Sequence, residues 1–285
     1  MTRDDMQLEA RKRRVAVSRV GGTSDAPDDL VAVEEPLEIR LGQEIDGRIE
    51  HQAVSITMRT PGDDRELAAG FLFTEGILQH REQVREIRHC GHGVGLTNTL
   101  RVDLRPGVAV DVKRLERNFY TTSSCGVCGK TSLEALATGA SGVTTTPGLR
   151  IAPALIHSLP TRLRERQPTF ASTGGLHAAA LFAPSGELLA LREDVGRHNA
   201  VDKLIGARFL AGELPARDLI LLLSGRASFE LLQKAVMAGI PIVCAVGAPS
   251  SLAVEAAREF GVTLLGFVRD GRFNVYTGAE RIASD

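Results

Sequence analysis

The chain has 285 residues, 43% of them hydrophobic and 24% charged, the profile of a globular protein of about two domains that needs no disulfide or structural metal to fold. Lys and Arg number 34 against 35 Asp and Glu, so the formal charge of -1 argues against a protein that mainly coats nucleic acid or an anionic membrane. No apolar run is long enough for a membrane span, and none follows the basic N-terminal residues, so we expect a cytoplasmic protein.

The first 27 residues, 1–27, are polar and charged, and they predict a mobile arm. Residues 28–118 predict a smaller N-terminal α+β unit, because period-two alternation of apolar side chains, typical of strands, adjoins a stretch with helical spacing. The expected elements are strands at 37–41, 53–58, 100–104 and 108–112 and a helix at 66–72.

Residues 119–170 hold a Cys-x-x-Cys motif and a charged stretch, 161–167, that predicts a connecting helix. Residues 171–285 predict a C-terminal α/β domain that binds a nucleotide or cofactor. Continuous apolar runs alternate there with helical patterns, so we expect parallel strands joined by right-handed crossovers. The expected elements are a β-hairpin at 178–182 and 188–191, strands at 219–223, 240–246 and 262–268, and helices at 199–210, 229–237 and 250–260.

The pair Cys125 and Cys128 is the most informative feature of the sequence. A helix predicted from Thr131 and the positive charge of Lys130 would both lower a thiol pKa and favour a nucleophilic thiolate. The motif alone leaves metal binding, redox chemistry and sulfur or acyl carriage open. A structural disulfide is disfavoured in the cytosol, and a zinc deaminase is disfavoured because no Glu follows His177 at the required spacing.

Three segments, 224–228, 247–251 and 267–272, follow the predicted parallel strands. Ligands of open parallel sheets bind beyond the carboxyl ends of the strands, where helix N-termini and arginine side chains can hold phosphate oxygens. The segments therefore predict a site for a phosphate-bearing ligand such as a nucleotide. Neither the dinucleotide-binding glycine motif nor a P-loop is present. For Ser250, helix capping is the more common role.

A charged segment, 192–203, brings Asp194, Arg197, His198 and Asn199 to a point where a strand ends and a helix begins. Such a loop either holds a polar ligand or is merely solvated, with Asn199 as the helix cap, and the sequence leaves both readings open.

Three further side chains have weaker claims to function. His177 is interpreted as a structural histidine. Cys244 lies within an apolar strand and predicts an inert core thiol. Cys90 has no predicted place.

Several long motifs, in order along the chain, resemble those of the FdhD family, the sulfur carriers that serve formate dehydrogenase. The resemblance covers roughly residues 30–280 and leaves only the N-terminal arm outside. The motifs are SCGVCGK at 124–130, REDVGRHNAVDK at 192–203, SGRAS at 224–228, APSS at 248–251 and the segment 266–276.

The resemblance implies an α/β fold with a cytidine deaminase-like mixed sheet and flanking helices, without the deaminase zinc site. It also implies a function. A cysteine desulfurase hands sulfur to Cys125 as a persulfide, with Cys128 as its partner, and the sulfur passes to Mo-bis(molybdopterin guanine dinucleotide). That cofactor is a client of the carrier, not a resident group, and active formate dehydrogenase requires it. The family further implies a homodimer that binds guanine nucleotide.

The expected cofactor-binding residues come from two sources. The resemblance supplies the segment Phe267, Val268, Arg269, Asp270, Gly271 and Arg272. The reading of strand ends supplies Ser224, Gly225, Arg226, Ser250, Ser251, Arg197, His198 and Asn199. Two alternatives to a sulfurtransferase-type carrier remain, a cofactor-binding chaperone with incidental thiols and a structural zinc protein. Whether Cys128 resolves the persulfide or assists transfer also stays open.

Overall fold

The computed structural model of the protein describes residues 8–18, 20, 28–90, 98–108, 110, 143 and 145–284. Cys125 and Cys128, the predicted catalytic pair, lie outside the described residues, as does the whole of the segment 119–142 around them. The described residues form a two-stranded hairpin, a four-stranded sheet and a six-stranded sheet. Among them, no helix is both long and apolar enough to cross a bilayer.

The N-terminal unit is a mixed sheet with one helix packed on it, as the alternating pattern predicts. Its strand order is β4-β3-β6-β5, with β3 antiparallel to β4 and parallel to β6. The apolar positions Leu37, Ile39 and Leu41 alternate along β3 and are all buried, because successive side chains of a strand point to opposite faces. The elements are β1 Lys12–Ala16, β2 Asp28–Ala32, β3 Glu35–Ile45, β4 Arg48–Arg59, α1 Asp64–Thr74, β5 Val84–His89 and β6 Thr99–Leu104.

Part of the predicted mobile arm, 1–27, is ordered, because the described residues Lys12–Ala16 form a strand. Strand β1 pairs antiparallel with β2, in a register that sets Lys12 opposite Ala32. The preceding Arg11 donates a hydrogen bond of 2.6 Å to the Asp63 carboxylate. Ion pairing with the body of the protein therefore orders this basic stretch, a long-range effect that local composition does not reveal.

Two other expectations need correction. The predicted strand 108–112 is absent over its described part, since Val108 and Val110 lie outside any strand and β6 ends at Leu104. The connecting helix predicted over 161–167 instead spans 153–164, because Pro153 occupies the first helical turn, where its missing N–H costs no hydrogen bond.

The C-terminal unit confirms the predicted mixed α/β architecture. The sheet has the order β12-β11-β10-β9-β7-β8, and its central strands β9, β10 and β11 are parallel, as predicted. The hairpin β7–β8 and strand β12 add antiparallel strands at the two sides. The elements are α2 Pro153–Arg164, α3 Pro168–Thr173, β7 His177–Phe182, β8 Leu188–Asp194, α4 Arg197–Ala211, β9 Ile220–Leu223, α5 Phe229–Met237, β10 Ile242–Ala245, α6 Ser251–Glu259, β11 Thr263–Arg269 and β12 Arg272–Thr277.

Helices cover both faces of this sheet, which explains the uninterrupted apolar runs of its central strands. All residues of β9 and β10 are buried. Leu221 and Leu223 face a core that α4, α5 and α6 also line. Ile220 and Leu222 face a second core, closed by Ile156 and other residues of α2. The two cores follow the alternation of side chains along each strand.

The two units share one hydrophobic core through the helix pair α1 and α4. Glycines allow these helices to touch backbone to backbone. A methyl group on Gly206 would lie 1.9 Å from the Glu66 carbonyl oxygen, and one on Gly70 would lie 1.9 Å from the Asp202 carbonyl oxygen. A buried cluster extends the joint, because the Lys234 ammonium lies 2.9 Å from both the Asp202 carboxylate and the Thr74 hydroxyl.

Candidate functional site

The predicted site segments meet at one edge of the six-stranded sheet, which we call the rim. It comprises residues 194–198, 224–228, 247–251 and 267–272, together with His177 at the start of β7. The first two parallel-strand segments are joined by backbone hydrogen bonds. Gly247 N donates to Gly225 O at 2.9 Å, and Ser250 N donates to Ala227 O at 2.9 Å. The rim is therefore a fixed surface that continues the sheet beyond its strands.

Gly247 is required for this close approach. A Cβ atom there would lie 3.1 Å from both the backbone N and the Cα of Arg226, tighter than side chains ordinarily tolerate. The next segment joins the ladder through Phe267 N, which donates to Gly247 O at 3.1 Å. One glycine thus connects all three strand ends.

The segment predicted as a third loop is a β-hairpin. Strand β11 runs to Arg269, and Asp270 and Gly271 form a two-residue turn with φ of 54° and 68° before β12 begins. Positive φ at both positions matches the twist of a tight hairpin. The side chains from Arg269 to Arg272 are exposed at its tip.

A strained residue stands at the base of this hairpin. Phe267 has φ of 54°, and the β11–β12 register shifts between Gly266 and Arg269. A phenylalanine in the left-handed region costs energy and is uncommon away from functional sites. Its ring lies 5.8 Å from the Arg269 guanidinium, whereas Val268 is fully buried in the core. The register shift thus separates the core side chain of Val268 from the arginines at the tip.

The predicted capping role of Ser250 is confirmed. Its Oγ accepts a hydrogen bond of 3.2 Å from Ala253 N at the start of α6. Ser251 is the first helical residue and is exposed. In the neighbouring segment Arg226 is exposed, while Ser224 and Gly225 are half-buried. Arg226, Ser250 and Ser251 are thus the exposed residues of these two rim segments, with Ser250 as the helix cap.

A buried network fixes the segment 194–198. Asp194 is fully buried, and its carboxylate lies 2.7 Å from the Lys203 ammonium and accepts hydrogen bonds from Gly196 N and Asn199 Nδ2. Lys203 also donates to Thr60 O at 2.8 Å, and Thr60 N donates to Asp194 at 3.2 Å. Thr60, directly after β4 of the N-terminal unit, therefore holds the segment in place.

Asn199 belongs to this network and is not the helix cap. Helix α4 begins at Arg197 after Gly196. The Asn199 amide donates to Met58 O at 2.7 Å, and its carbonyl oxygen accepts from Thr57 Oγ1 at 3.1 Å. Its side-chain groups thus join the two units, and its direct contact with a ligand stays a prediction.

His198 and Arg197 stand on the other side of the same turn, at the rim. Burial, together with the charges of Arg197 and Lys234, lowers the pKa of His198 to about 4. Its Nε2 lies 3.5 Å from Ser228 Oγ and 4.0 Å from the Glu230 carboxylate. His198 is therefore neutral at pH 7 and can both donate and accept one hydrogen bond.

His177 lies beside this pair, at the centre of the rim. Burial and the nearby Arg197 lower its pKa. A methyl group on Gly225 would come within 3.4 Å of its Nδ1. Neighbouring Ser224 Oγ accepts a hydrogen bond of 2.8 Å from Ala178 N. The rim thus combines exposed arginines with two neutral imidazoles.

Several residues of the site carry no recognisable local signal. Thr60 is separated from its partners Asp194 and Lys203 by more than a hundred positions. Ser228 and Glu230 are ordinary first-turn residues whose contact with His198 depends on the packing of α5 against α4. The usable clue is Lys203, which with Asp202 is one of two charged residues among the buried positions of α4.

The cysteines outside the motif have defined places. Cys244 is fully buried in β10, and burial raises the pKa of its thiol to about 12, which confirms the prediction of an inert core thiol. Cys90 is half-buried, and its thiol lies 3.8 Å from Thr99 O. In the described part of the chain, no three acidic, His or Cys side chains converge as a metal site would require.

Comparisons with known proteins agree on one family. The FdhD/NarQ family model matches residues 32–283. The chain is 55% identical to the sulfur carrier protein FdhD of Streptomyces avermitilis over 277 residues, which cover 95% of each chain. It is 52% identical to that of Mycolicibacterium paratuberculosis, with 97% of this chain and 100% of the relative covered. The sulfur carrier protein FdhD of Sulfurisphaera tokodaii is 44% identical over 271 residues.

A solved structure has the same architecture. It is the crystal structure of a protein described as a formate dehydrogenase accessory protein from Desulfotalea psychrophila. The two chains are 28% identical and superpose with a TM-score of 0.69 over 95% of this chain and 98% of the other. The rim is thus part of a fold that extends over nearly the whole of both chains.

Proposed function

The chain belongs to the FdhD/NarQ family, and we propose that it is a sulfur carrier for formate dehydrogenase. The observation that carries the proposal is the family match over residues 32–283, with curated sulfur carriers at up to 55% identity. The name of the Desulfotalea protein supports formate dehydrogenase as the enzyme served.

We propose the following chemistry for the cysteine pair. The Cys125 thiolate attacks the outer sulfur of a desulfurase persulfide, forming a new S–S bond and releasing the desulfurase thiolate. The Cys128 thiolate then attacks the inner sulfur of the Cys125 persulfide and releases hydrosulfide to the molybdenum cofactor. The two thiols supply the two electrons that reduce the sulfur, and the resulting disulfide is reduced by a cellular dithiol.

The rim supports a large anionic client as the acceptor. Arg226, Arg269 and Arg272 are exposed around it, and α5 and α6 begin beside it. Guanidinium groups and helix N-termini bind phosphate oxygens, and the proposed cofactor, Mo-bis(molybdopterin guanine dinucleotide), carries two pyrophosphates. A fixed open surface also suits a client that must leave again. The homodimer and the binding of free guanine nucleotide stay predictions.

Mass spectrometry of the intact protein tests the carrier step. After incubation with a cysteine desulfurase and cysteine, the wild-type chain should gain the mass of one sulfur, and Cys125→Ala should gain none. The matched control is Cys244→Ala, which removes a buried thiol and should leave the adduct unchanged. An equal adduct on Cys125→Ala and wild type would refute the assignment.

Activation of formate dehydrogenase separates the carrier from a cofactor-binding chaperone. Cells that lack their own carrier and express Cys125→Ala should contain inactive formate dehydrogenase, since no sulfur reaches the cofactor. If that variant restores full activity, the thiols are incidental and the chaperone reading is correct.

A further inference from the structure

The hairpin of β1 and β2 is an element that the proposed function does not use. Its basic strand β1 carries Lys12, Arg13 and Arg14. Strand β1 lies wholly before residue 32, where the match to the family model begins. An element outside the family region suits a property in which relatives differ, such as the choice of a partner protein.

The hairpin is fixed beside the rim. Arg11 anchors the start of β1, because its guanidinium donates a hydrogen bond of 2.6 Å to the Asp63 carboxylate at the start of α1. Strand β2 packs on α3, and the chain after that helix reaches the rim at His177. A methyl group on Gly175 would lie 3.5 Å from the Ala32 side chain on β2. The hairpin is therefore a fixed surface that adjoins the rim.

The outer edge of β1 presents backbone hydrogen-bonding groups. Val33 N donates to Arg11 O at 2.9 Å, and residue pairs of an antiparallel ladder alternate between bonded and non-bonded from that pair onward. By this alternation, the N–H and C=O groups of Lys12, Arg14 and Ala16 point away from β2. Within the described residues, no third strand pairs with the hairpin. An edge of this kind can accept a strand from another chain.

Two guanidinium groups stand on this edge. The side chains of Arg13 and Arg14 are 67% and 69% exposed, and they pair with Glu35 and Asp28 at the long distances of 3.8 and 3.9 Å. Ion pairs this exposed contribute little, so both groups are available to a partner. Because successive side chains of a strand point to opposite faces, one guanidinium stands on each side of the edge.

The charge of the edge selects its occupant. A second copy of β1 would bring the arginines of both chains together, and like charges across a strand pair are destabilising. An extended segment with carboxylates on both faces would instead meet a guanidinium on each side and form charge-assisted hydrogen bonds. Val31 is 39% exposed and lies opposite Arg13, so it adds an apolar contact on that face.

We infer that the free edge of β1 binds an extended acidic segment of a partner protein by strand addition. Backbone hydrogen bonds hold the segment, and Arg13 and Arg14 select its carboxylates. Because the edge adjoins the rim, the partner is the protein that receives the client there, the formate dehydrogenase apoenzyme. This identity rests on the proposed function, whereas the strand addition does not.

Binding of a designed peptide to the full chain tests the strand addition. The probe is a fluorescent, acetylated peptide of alternating Glu and Val, about eight residues long as in an ordinary strand, and it is followed by anisotropy. It should bind more tightly than a peptide of alternating Lys and Val, and high salt should weaken it because exposed ion pairs are screened. Replacing both Arg13 and Arg14 with Gln should weaken binding about tenfold.

Arg14 provides a matched pair of variants. Arg14→Gln and Arg14→Pro remove the same charge, but only proline also removes the outward N–H, which the β1–β2 ladder does not use. An edge strand tolerates proline where its N–H side faces solvent. Arg14→Pro should bind the peptide about fivefold more weakly than Arg14→Gln, with the same midpoint of thermal unfolding. Equal binding would show a purely electrostatic contact and overturn strand addition.

N-methylation of the peptide repeats this measurement without changing the protein. Methyl groups on the nitrogens of either all Glu or all Val residues block one edge of the peptide strand. One of these two peptides should lose binding, because only one edge can face β1. Full binding of both would overturn the inference.

The control is the double variant Arg85→Gln and Arg88→Gln on β5, an edge strand of the four-stranded sheet whose arginines are also exposed. It should bind the acidic peptide as wild type does. Absence of peptide binding by wild type would overturn the inference, and so would tighter binding of a single-stranded oligonucleotide.

Activation of formate dehydrogenase in cells tests the identity of the partner. The double variant of Arg13 and Arg14 should yield several-fold less active enzyme than wild type, while it forms the persulfide normally. Normal activation would overturn the apoenzyme as the partner, and loss of the persulfide would assign the edge to the desulfurase instead. Cys125→Ala should bind the peptide as wild type does, so failure of the carrier chemistry is distinguishable from failure of the edge.

Discussion

Because His198 is neutral at the rim, we expect the stability of the folded protein to depend on pH. Its pKa is about 4 in the folded protein and about 6.5 in an unfolded chain, so the unfolded state binds the extra proton first. The stability contribution of the neutral ring is complete above pH 6.5 and is lost as the pH falls towards 4. His198→Asn should therefore lose less stability than wild type between these values.

Urea unfolding at pH 7 and pH 5 measures this difference. The matched control is His157→Asn on α2, whose ring centroid lies 5.2 Å from that of Phe273. Proton NMR should also show the His198 ring titrating near pH 4. A ring that titrates near pH 6.5 would contradict the prediction.

Replacement of Lys203 should strongly lower the unfolding free energy of the protein. Lys203→Met would leave the fully buried Asp194 carboxylate without its cation, which typically costs about 3–5 kcal/mol of unfolding free energy. The double variant with Asp194→Asn should recover part of the loss, because no uncompensated charge remains. Urea unfolding checks both, and a loss below ~1 kcal/mol in the single variant would show that the pair is not essential.

At the scale of elements, the crossing of α1 and α4 is the tightest contact. Gly206→Ala should lower the unfolding free energy by about 3 kcal/mol, because the methyl group would meet the Glu66 carbonyl and force the helices apart. Gly175→Ala is the matched control, since its methyl would meet Ala32 at an ordinary 3.5 Å. Equal thermal unfolding of the two variants would count against the close crossing.

Local patterns predicted elements well where one pattern covered the whole element. The apolar runs of β9 and β10, each between helical patterns, were sufficient for the parallel strands because burial on both faces leaves no alternation to interpret. The same patterns located the strand-end segments of the rim. Helix α2 was misplaced because Pro153 begins it and Pro160 lies within it.

Contacts distant in sequence could not be predicted in the same way. The strand β1 is stabilised by pairing with β2, and Arg11 by Asp63, partners that composition does not indicate. The network of Asp194 and Lys203 likewise depends on Thr60, which only the folded chain brings near. The strand-end segments of the rim were thus more accessible to sequence reasoning than the residues that support them.

At the scale of the whole molecule, the two units should unfold together. They share one core, and Lys234, Asp202 and Thr74 form a buried cluster across the joint. We expect one cooperative transition, with near-ultraviolet and far-ultraviolet circular dichroism giving the same midpoint. Two separated transitions would show that the joint is weaker than its contacts indicate.

The backbone hydrogen bonds of Thr60 limit how this protein can be divided. A fragment that starts at residue 145 would retain every rim segment. It would lack the Thr60 carbonyl that accepts a hydrogen bond from Lys203 and the Met58 carbonyl that accepts one from Asn199. The apolar side of α4 would also face water. Any transplant of the rim into another scaffold must therefore carry the end of β4 with it, or supply a substitute strand in the same position.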